Sequence, residues 1–266
     1  MAEVTRMEKY SFTLFGEDER QRALCACFRA DGHAAHFFGE QEDGETDGLR
    51  IGVLPMPAAD APLDALGEMA FCVGGRIAPA LAEKAADDGI RLFDYAARED
   101  FALSNALTTA EAAIYVAMQH EDRILAGLRV LVIGCGRIAR RLAPLARAMG
   151  MRVTVSARKE EDFLRIRDAG FACMDTRALS GLSEFDLIFN TVPAPVLGAA
   201  ALAETREDVL LIDLASLPGG IDFECAKRLP RCAVHALALP GRYAPRTAAR
   251  SAAQSIYAII SEDEHA

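Results

Sequence analysis

Apolar positions in this chain fall into short strand-like runs, separated by segments in which they recur every three or four residues. The first runs are YSFTLFG from Tyr10, then AHFFG, LRIGVLP, MAFCVGG and IRLFDYA. Between them lie QRALCACFRADG and a segment around Ala78 to Asp88, both with helical spacing. Such alternation predicts a parallel sheet covered by helices. The acidic, glycine-containing stretch GEQEDGETDG predicts a solvated connection. A second alternating series follows residue 105. TTAEAAIYVAMQHEDRIL predicts a long helix opened by a capping box, with Glu111 three positions after Thr108. RVLVIGCG, RVTVSA, FDLIFNTVP, VLLIDLAS and AVHALALP predict strands, and RIARRLAPLARAMG and EEDFLRIRDAG predict helices. Pro144 interrupts the first of those helices, and a last helix runs from about Thr247 to Ser261.

Composition narrows the classes open to such a chain. Its 266 residues are 52% hydrophobic and 26% charged, which suits a globular protein of one large or two ordinary domains. A formal net charge of −10 argues against a nucleic-acid surface and against anionic membranes. No apolar run approaches the roughly 20 residues of a membrane span. The opening MAEVTRMEKY lacks the pattern of a secretion signal, so a cytoplasmic location is expected. Seven scattered cysteines without a C-x-x-C pair read as reduced thiols, and five histidines without paired spacing give no metal site.

The chemistry-bearing motif is VLVIGCGRIA. Gly134, Gly136 and Ala139 form G-x-G-x-x-A directly after a strand and at the start of a helix, the context a dinucleotide fingerprint requires. Gly134 allows the tight turn and Gly136 lets pyrophosphate approach the backbone. Arg137 and Ile138 begin the helix whose N-terminus faces the phosphates. About twenty residues on, an NAD-binding domain places an acid on the ribose. This chain instead reads Ser156, Ala157, Arg158, Lys159. A carboxylate there would repel a 2′-phosphate by roughly 4 kcal/mol at 4 Å and moderate dielectric. A hydroxyl and two cations favour it, so NADP is the expected cofactor, with NAD the alternative if Glu160 or Glu161 turns inward. Asn190, Thr191, Val192 and Pro193 end a later strand on the ligand edge and are candidates for the nicotinamide-ribose side, although Asn and Thr before Pro are also ordinary turn formers. The fold expected is α/β in two domains. Residues 1–105 form a flavodoxin-like parallel domain, and 106–246 form a Rossmann dinucleotide-binding domain. Helix 247–262 packs back on the first.

The strings LIDLASLPGGIDFECAK and LALPGRYAPRTA, with LTTAEAAIYVAMQH and GCGRIARRLA, strongly resemble the family of the dipicolinate synthase A subunit. The resemblance covers residues from about 90 to 260, and FTLFGEDERQ near the N-terminus is similar in kind. It implies NADP-linked oxidation and dehydration of 4-hydroxy-tetrahydrodipicolinate to dipicolinate during spore formation. It also implies a partner in the mother cell, the flavoprotein-like B subunit of dipicolinate synthase; a homodimer is compatible with it. A substrate with two carboxylates asks for cations and helix N-termini. Thr109 at a helix start, Ser216, Gly219 and Gly220 after a strand, and Arg242, Arg246 and Thr247 before the last helix are the candidates. Thr108 and Thr247 are good caps in any case, Pro-Gly-Gly is a good turn, and Asp222 can be the N-cap of FECAKRL. For a polar catalytic role Asp213, at a strand end and also a candidate for cofactor binding, is the choice, with Glu111 second. His235 reads as a satisfied core or edge histidine, and no residue declares itself as the base. A lone 2-hydroxyacid dehydrogenase would need Arg and His where Ser216-Leu217 and Leu239-Pro240-Gly241 stand. An alanine-dehydrogenase-like enzyme and a non-catalytic NADP-binding protein of the same complex remain as alternatives.

Overall fold

A computed structural model describes residues 10–40 and 48–265. The opening decapeptide, apart from Tyr10, and the centre of the acidic connection lie outside the described residues. The chain runs β1 (Ser11–Leu14), α1 (Glu19–Ala30), β2 (Ala34–Phe37), β3 (Arg50–Val53), α2 (Leu63–Leu66), β4 (Phe71–Gly74), α3 (Pro79–Asp87) and β5 (Leu92–Asp94). It continues through α4 (Glu99–His120), β6 (Arg129–Ile133), α5 (Arg137–Ala148), β7 (Arg152–Ala157), α6 (Glu160–Asp168), β8 (Ala172–Asp175) and β9 (Leu187–Asn190). The remainder is α7 (Ala199–Glu204), β10 (Leu210–Asp213), α8 (Phe223–Arg228), β11 (Cys232–His235), α9 (Leu239–Tyr243) and α10 (Pro245–Glu264). The chain divides into two units: residues up to Asn105 with those from Gly241 onward, and Ala106–Pro240. No described helix is long and apolar enough to cross a membrane.

In the first unit all strand pairs are parallel, in the order β2-β1-β3-β4-β5. This is the flavodoxin-like order, whose topological switch falls between β1 and β3. Its core joins Phe12, Leu24, Phe28, Ile51 and Phe71 to Ala249, Ala252, Ala253, Ile256 and Ile260 of α10. The three alanines leave room for α10 to lie close on α1, and the Phe12 and Phe28 rings stack with centroids 3.8 Å apart. At the end of α1, Asp31 accepts from Arg250 Nη1 at 2.6 Å and from the Tyr257 hydroxyl at 3.0 Å. The Arg250 guanidinium holds the Asp31 carboxyl below its ordinary range.

The second unit is a parallel sheet in the order β11-β10-β9-β6-β7-β8, the doubly wound arrangement of dinucleotide-binding domains. Helices cover both faces, so its central strands are apolar throughout rather than alternating. In β6, Val130 and Val132 enter the core shared with Leu142, Phe189 and Ile212, whereas Leu131 and Ile133 enter the opposite one with Ile188, Leu197 and Leu211. Pro144 lies inside α5 as the sequence requires.

Two boundaries differ from expectation. Helix α4 starts at Glu99, not Thr108. Glu99 and Asp100 sit in its first turn, where acids complement the helix dipole, and FALSNAL carries no breaker before Thr108. Thr108 and Thr109 therefore lie buried in the body of the helix, and the capping box does not form. The last helix starts at Pro245, where proline's fixed φ suits the first turn.

Candidate dinucleotide-binding site

Where β6 ends, Gly134 turns the chain with φ +103°. A Cβ there would lie 2.5 Å from Thr191 Oγ1 and 3.0 Å from Val192 Cγ2, so conformation and space both demand glycine. Gly136, the N-cap of α5, differs: a Cβ on it would meet nothing within 4 Å. No side chain caps α5, which gives an anion an uncapped helix N-terminus beside an unobstructed approach. Ala139 is buried where α5 meets the sheet. These residues fit a dinucleotide pyrophosphate.

Ser156 does not take the part expected of it. It is fully buried, and its hydroxyl is 2.7 Å from Thr176 Oγ1 and accepts from Gly134 N at 3.3 Å. It ties the glycine loop to the turn after β8 and has no hydroxyl to spare for a phosphate. Arg158 and Lys159 are exposed at the same edge. Lys159 approaches Glu161 at 3.9 Å, while Arg158 has no ion-pair partner among the described residues. Glu160 and Glu161 stand in the first turn of α6, and Glu161 also meets Arg165 at 3.8 Å. The next strand end, Asp175, is held by Arg177 at 2.6 Å and accepts from Arg177 N. Nothing in the sequence marks Asp175 and Thr176, because FACMD is too short and mixed to stand apart from the helix before it.

The ends of β9 and β10 are joined through a buried polar network. Asn190 donates from Nδ2 to Asp213 Oδ1 at 2.8 Å and to Val192 O at 3.0 Å, and accepts from Val192 N at 3.0 Å. Thr191 donates to Ile133 O at 2.8 Å. Asp213, fully buried, accepts further from Ala215 N at 3.0 Å, Gly220 N at 2.7 Å and Ile221 N at 3.2 Å. This corrects the catalytic assignment: both carboxylate oxygens are spent on shaping the loop. Gly219 (φ +83°) and Gly220 are buried against the same network rather than open to a substrate. A Cβ on Gly219 would sit 2.7 Å from Asp213 Oδ2, and one on Gly220 would strike Asn190 Nδ2 and lie 2.8 Å from Val192 O. Ser216 accepts from Gly219 N through its carbonyl, and Pro193 is exposed.

The remaining candidates scatter. Glu111 is exposed in the middle of α4, which removes it as a helix-start acid. Thr109 is inside the same helix. Arg242, Arg246 and Thr247 belong to the first unit, all exposed, with Arg242 over the Tyr243 ring at 5.5 Å. Asp222 caps α8 by accepting from Cys225 N at 2.8 Å. His235 is opposite Asp213 in register and stacks on Phe223 at 5.1 Å, but its buried Nε2 has no hydrogen-bond partner, so it is not a satisfied core histidine.

Residues 106–216 match the D-isomer specific 2-hydroxyacid dehydrogenase, NAD binding domain. The second unit is thus similar to the NAD-binding domain of that dehydrogenase class, which supports a nicotinamide dinucleotide as its cofactor. The chain is also similar to the A subunit of dipicolinate synthase. It is 34% identical to that protein of Bacillus subtilis over 174 residues, covering 65% of this chain and 58% of the relative's length. The crystal structure of the Bacillus subtilis dipicolinate synthase A chain superposes with a TM-score of 0.85 at 25% identity, over 97% of this chain and 98% of that one. The counterpart from Bacillus halodurans gives 0.84 at 27% identity, over 95% and 98%. Over 93 residues the chain is also 40% identical to NADP-dependent alcohol dehydrogenase C 1 of Mycolicibacterium smegmatis, covering 33% of this chain and 27% of that one.

Proposed function

We propose that this chain acts as the A subunit of a dipicolinate synthase, carrying out the NADP-linked oxidation and dehydration of 4-hydroxy-tetrahydrodipicolinate to dipicolinate. The observation that carries the reading is the Asp213 network: the LIDLAS–PGG string that resembles the family is what closes the end of β10 into one fixed loop. In this reaction water leaves from the hydroxylated ring, and the ring then gives up a hydride and a proton to become aromatic. When bound, oxidised NADP supplies the acceptor for that hydride. The protein's share is positional. The Gly134 turn and the N-terminus of α5 hold the pyrophosphate, and Arg158 with Lys159 takes the 2′-phosphate. The locked ends of β9 and β10 fix the nicotinamide side. A flavoprotein-like B subunit completes the assembly in the mother cell of a sporulating bacterium. Mixing the two proteins with substrate and NADP should produce dipicolinate with stoichiometric NADPH; no product from the pair would reject the reading.

One observation favours a second reading, a non-catalytic NADP-binding component: neither Asp213 nor Glu111 is placed to move a proton. Turnover by this chain without its flavoprotein-like partner would exclude it.

Cofactor choice is tested separately. Arg158→Ala is expected to weaken NADP by about tenfold, the loss of one charge-assisted contact worth roughly 1.5 kcal/mol, and to leave NAD unchanged. Equal losses for both cofactors, or tighter NAD than NADP in the wild type, would reject the 2′-phosphate assignment.

A further inference from the structure

The first unit holds a buried cation that no carboxylate among the described residues balances. Arg20 lies in the first turn of α1, directly after β1, and is only 7% exposed. Its Nε and Nη1 have no hydrogen-bond partner, and no carboxylate among the described residues lies within ion-pairing distance. The neighbouring acids are engaged elsewhere. Asp18 accepts from the backbone N–H groups of Arg20 and Gln21 as the helix cap, and Asp94 accepts from Arg76 N, Ile77 N and Ala96 N. The guanidinium lies beside the Tyr95 phenol, whose pKa burial pushes up to about 12, so it stays a neutral acceptor and supplies no charge. On another side Nη2 is 3.4 Å from where a Cβ of Gly241 would be. A buried guanidinium left unpaired is costly, and the cost is relieved by an anion.

The position of Arg20 gives independent support. In a sheet ordered β2-β1-β3-β4-β5, ligands bind beyond the carboxyl ends of the strands, at the switch between β1 and β3. That switch is built firmly here. Gln21, 2% exposed, donates from one amide nitrogen to Phe15 O at 2.9 Å and Val53 O at 3.1 Å, clamping the two strand ends together. Gly16 (φ +84°) folds against Pro55, and Gly75 leaves the space that the Tyr95 ring fills. The stretch FGEDERQ, which the dinucleotide site does not use, supplies Gly16, Asp18, Arg20 and Gln21.

We infer that the carboxyl edge of the first sheet is a carboxylate-binding site in which Arg20 receives one carboxylate of a small-molecule ligand. A single cation matches a monoanionic group better than a phosphate dianion, and the planar guanidinium fork matches a carboxylate through two parallel hydrogen bonds. The choice of a dicarboxylate as ligand rests on the function proposed above; the site itself rests on the first unit alone.

Calorimetric titration of the full chain with pyridine-2,6-dicarboxylate tests it, with succinate, inorganic phosphate and uncharged pyridine-2,6-dimethanol as comparisons. The wild type is expected to bind the dicarboxylate at least tenfold more tightly than phosphate and to ignore the diol. The Nε–H resonance of Arg20 should move on saturation. Arg20→Lys, which keeps the charge and loses the fork, should weaken binding at least tenfold. Arg20→Met should abolish binding and leave the thermal midpoint of the free protein at or above that of wild type, because an unpaired buried charge has gone. Unchanged affinity in a folded Arg20 variant overturns the inference, as does a wild type that binds neither carboxylate or binds phosphate equally well. If Arg20→Met does not fold, Arg20→Lys and the wild-type resonance decide. Arg20-dependent binding of succinate with no binding of the pyridine compound, or with no dipicolinate formed by the two proteins together, counts against the proposed reaction and leaves the site standing.

Discussion

Asp213→Ala is expected to lower the stability of the second unit by about 4 kcal/mol and to abolish dinucleotide binding. The substitution leaves the N–H groups of Ala215, Gly220 and Ile221 buried without acceptors and removes one of the two acceptors of Asn190 Nδ2. Each buried donor deprived of its partner costs about 1–3 kcal/mol, and a domain holds only about 5–15 kcal/mol in all. The loop from Asp213 to Ile221 should then open, releasing Gly219 and Gly220 from the positions their missing side chains allow. Asp213→Asn keeps the shape and one acceptor oxygen, so it should lose less. Urea unfolding followed by circular dichroism checks both, and an Asp213→Ala midpoint equal to wild type would show that the network contributes little. A base at Asp213 would predict the opposite profile: lost turnover with stability intact.

The two glycines of the fingerprint should separate just as clearly. Gly134→Ala places a methyl group 2.5 Å from Thr191 Oγ1 at a φ of +103°, so strain of about 1–3 kcal/mol appears in the free protein and Thr191 must leave Ile133 O. Gly136→Ala adds a methyl group to open space at φ −78°, which any residue adopts, so the free protein should unfold as wild type does. Yet that space is where the pyrophosphate would pass, so dinucleotide affinity should fall about 100-fold, equivalent to roughly 2.7 kcal/mol. Thermal unfolding with and without NADP distinguishes the pair. Normal NADP affinity in Gly136→Ala would move the phosphates away from this loop.

The architecture is largely legible in the sequence because period and punctuation agree. VLVIGCGRIA reads as strand, turn and helix by apolar content, glycine spacing and helix start together, and all three appear at β6, Gly134 and α5. Where a single local signal stands alone, tertiary context overrules it. Thr108 with Glu111 satisfies a capping pattern, but the preceding residues are as willing to be helical, so the helix ignores it. Ser156 and Asp213 are legible as strand-end residues and not as buried ones. Whether a polar side chain faces ligand or interior depends on partners such as Thr176 and Gly220, which lie 20 and 7 positions further along the chain. Arg20 is invisible for the same reason: its significance is a partner that is missing, and a sequence cannot display an absence in space.

The first unit draws on segments that lie before and after the second in sequence, and this sets an order of folding. Ala106–Pro240 is a continuous stretch that can form its own sheet without the segments on either side of it. The first unit cannot: the sheet that carries Phe12, Ile51 and Phe71 must wait, with one face uncovered, for Ala252, Ile256 and Ile260 of α10. During translation this half is therefore the vulnerable one. A premature stop that deletes only α10 should send the nascent chain toward chaperones or aggregation, although it would leave every residue of the dinucleotide fingerprint in place.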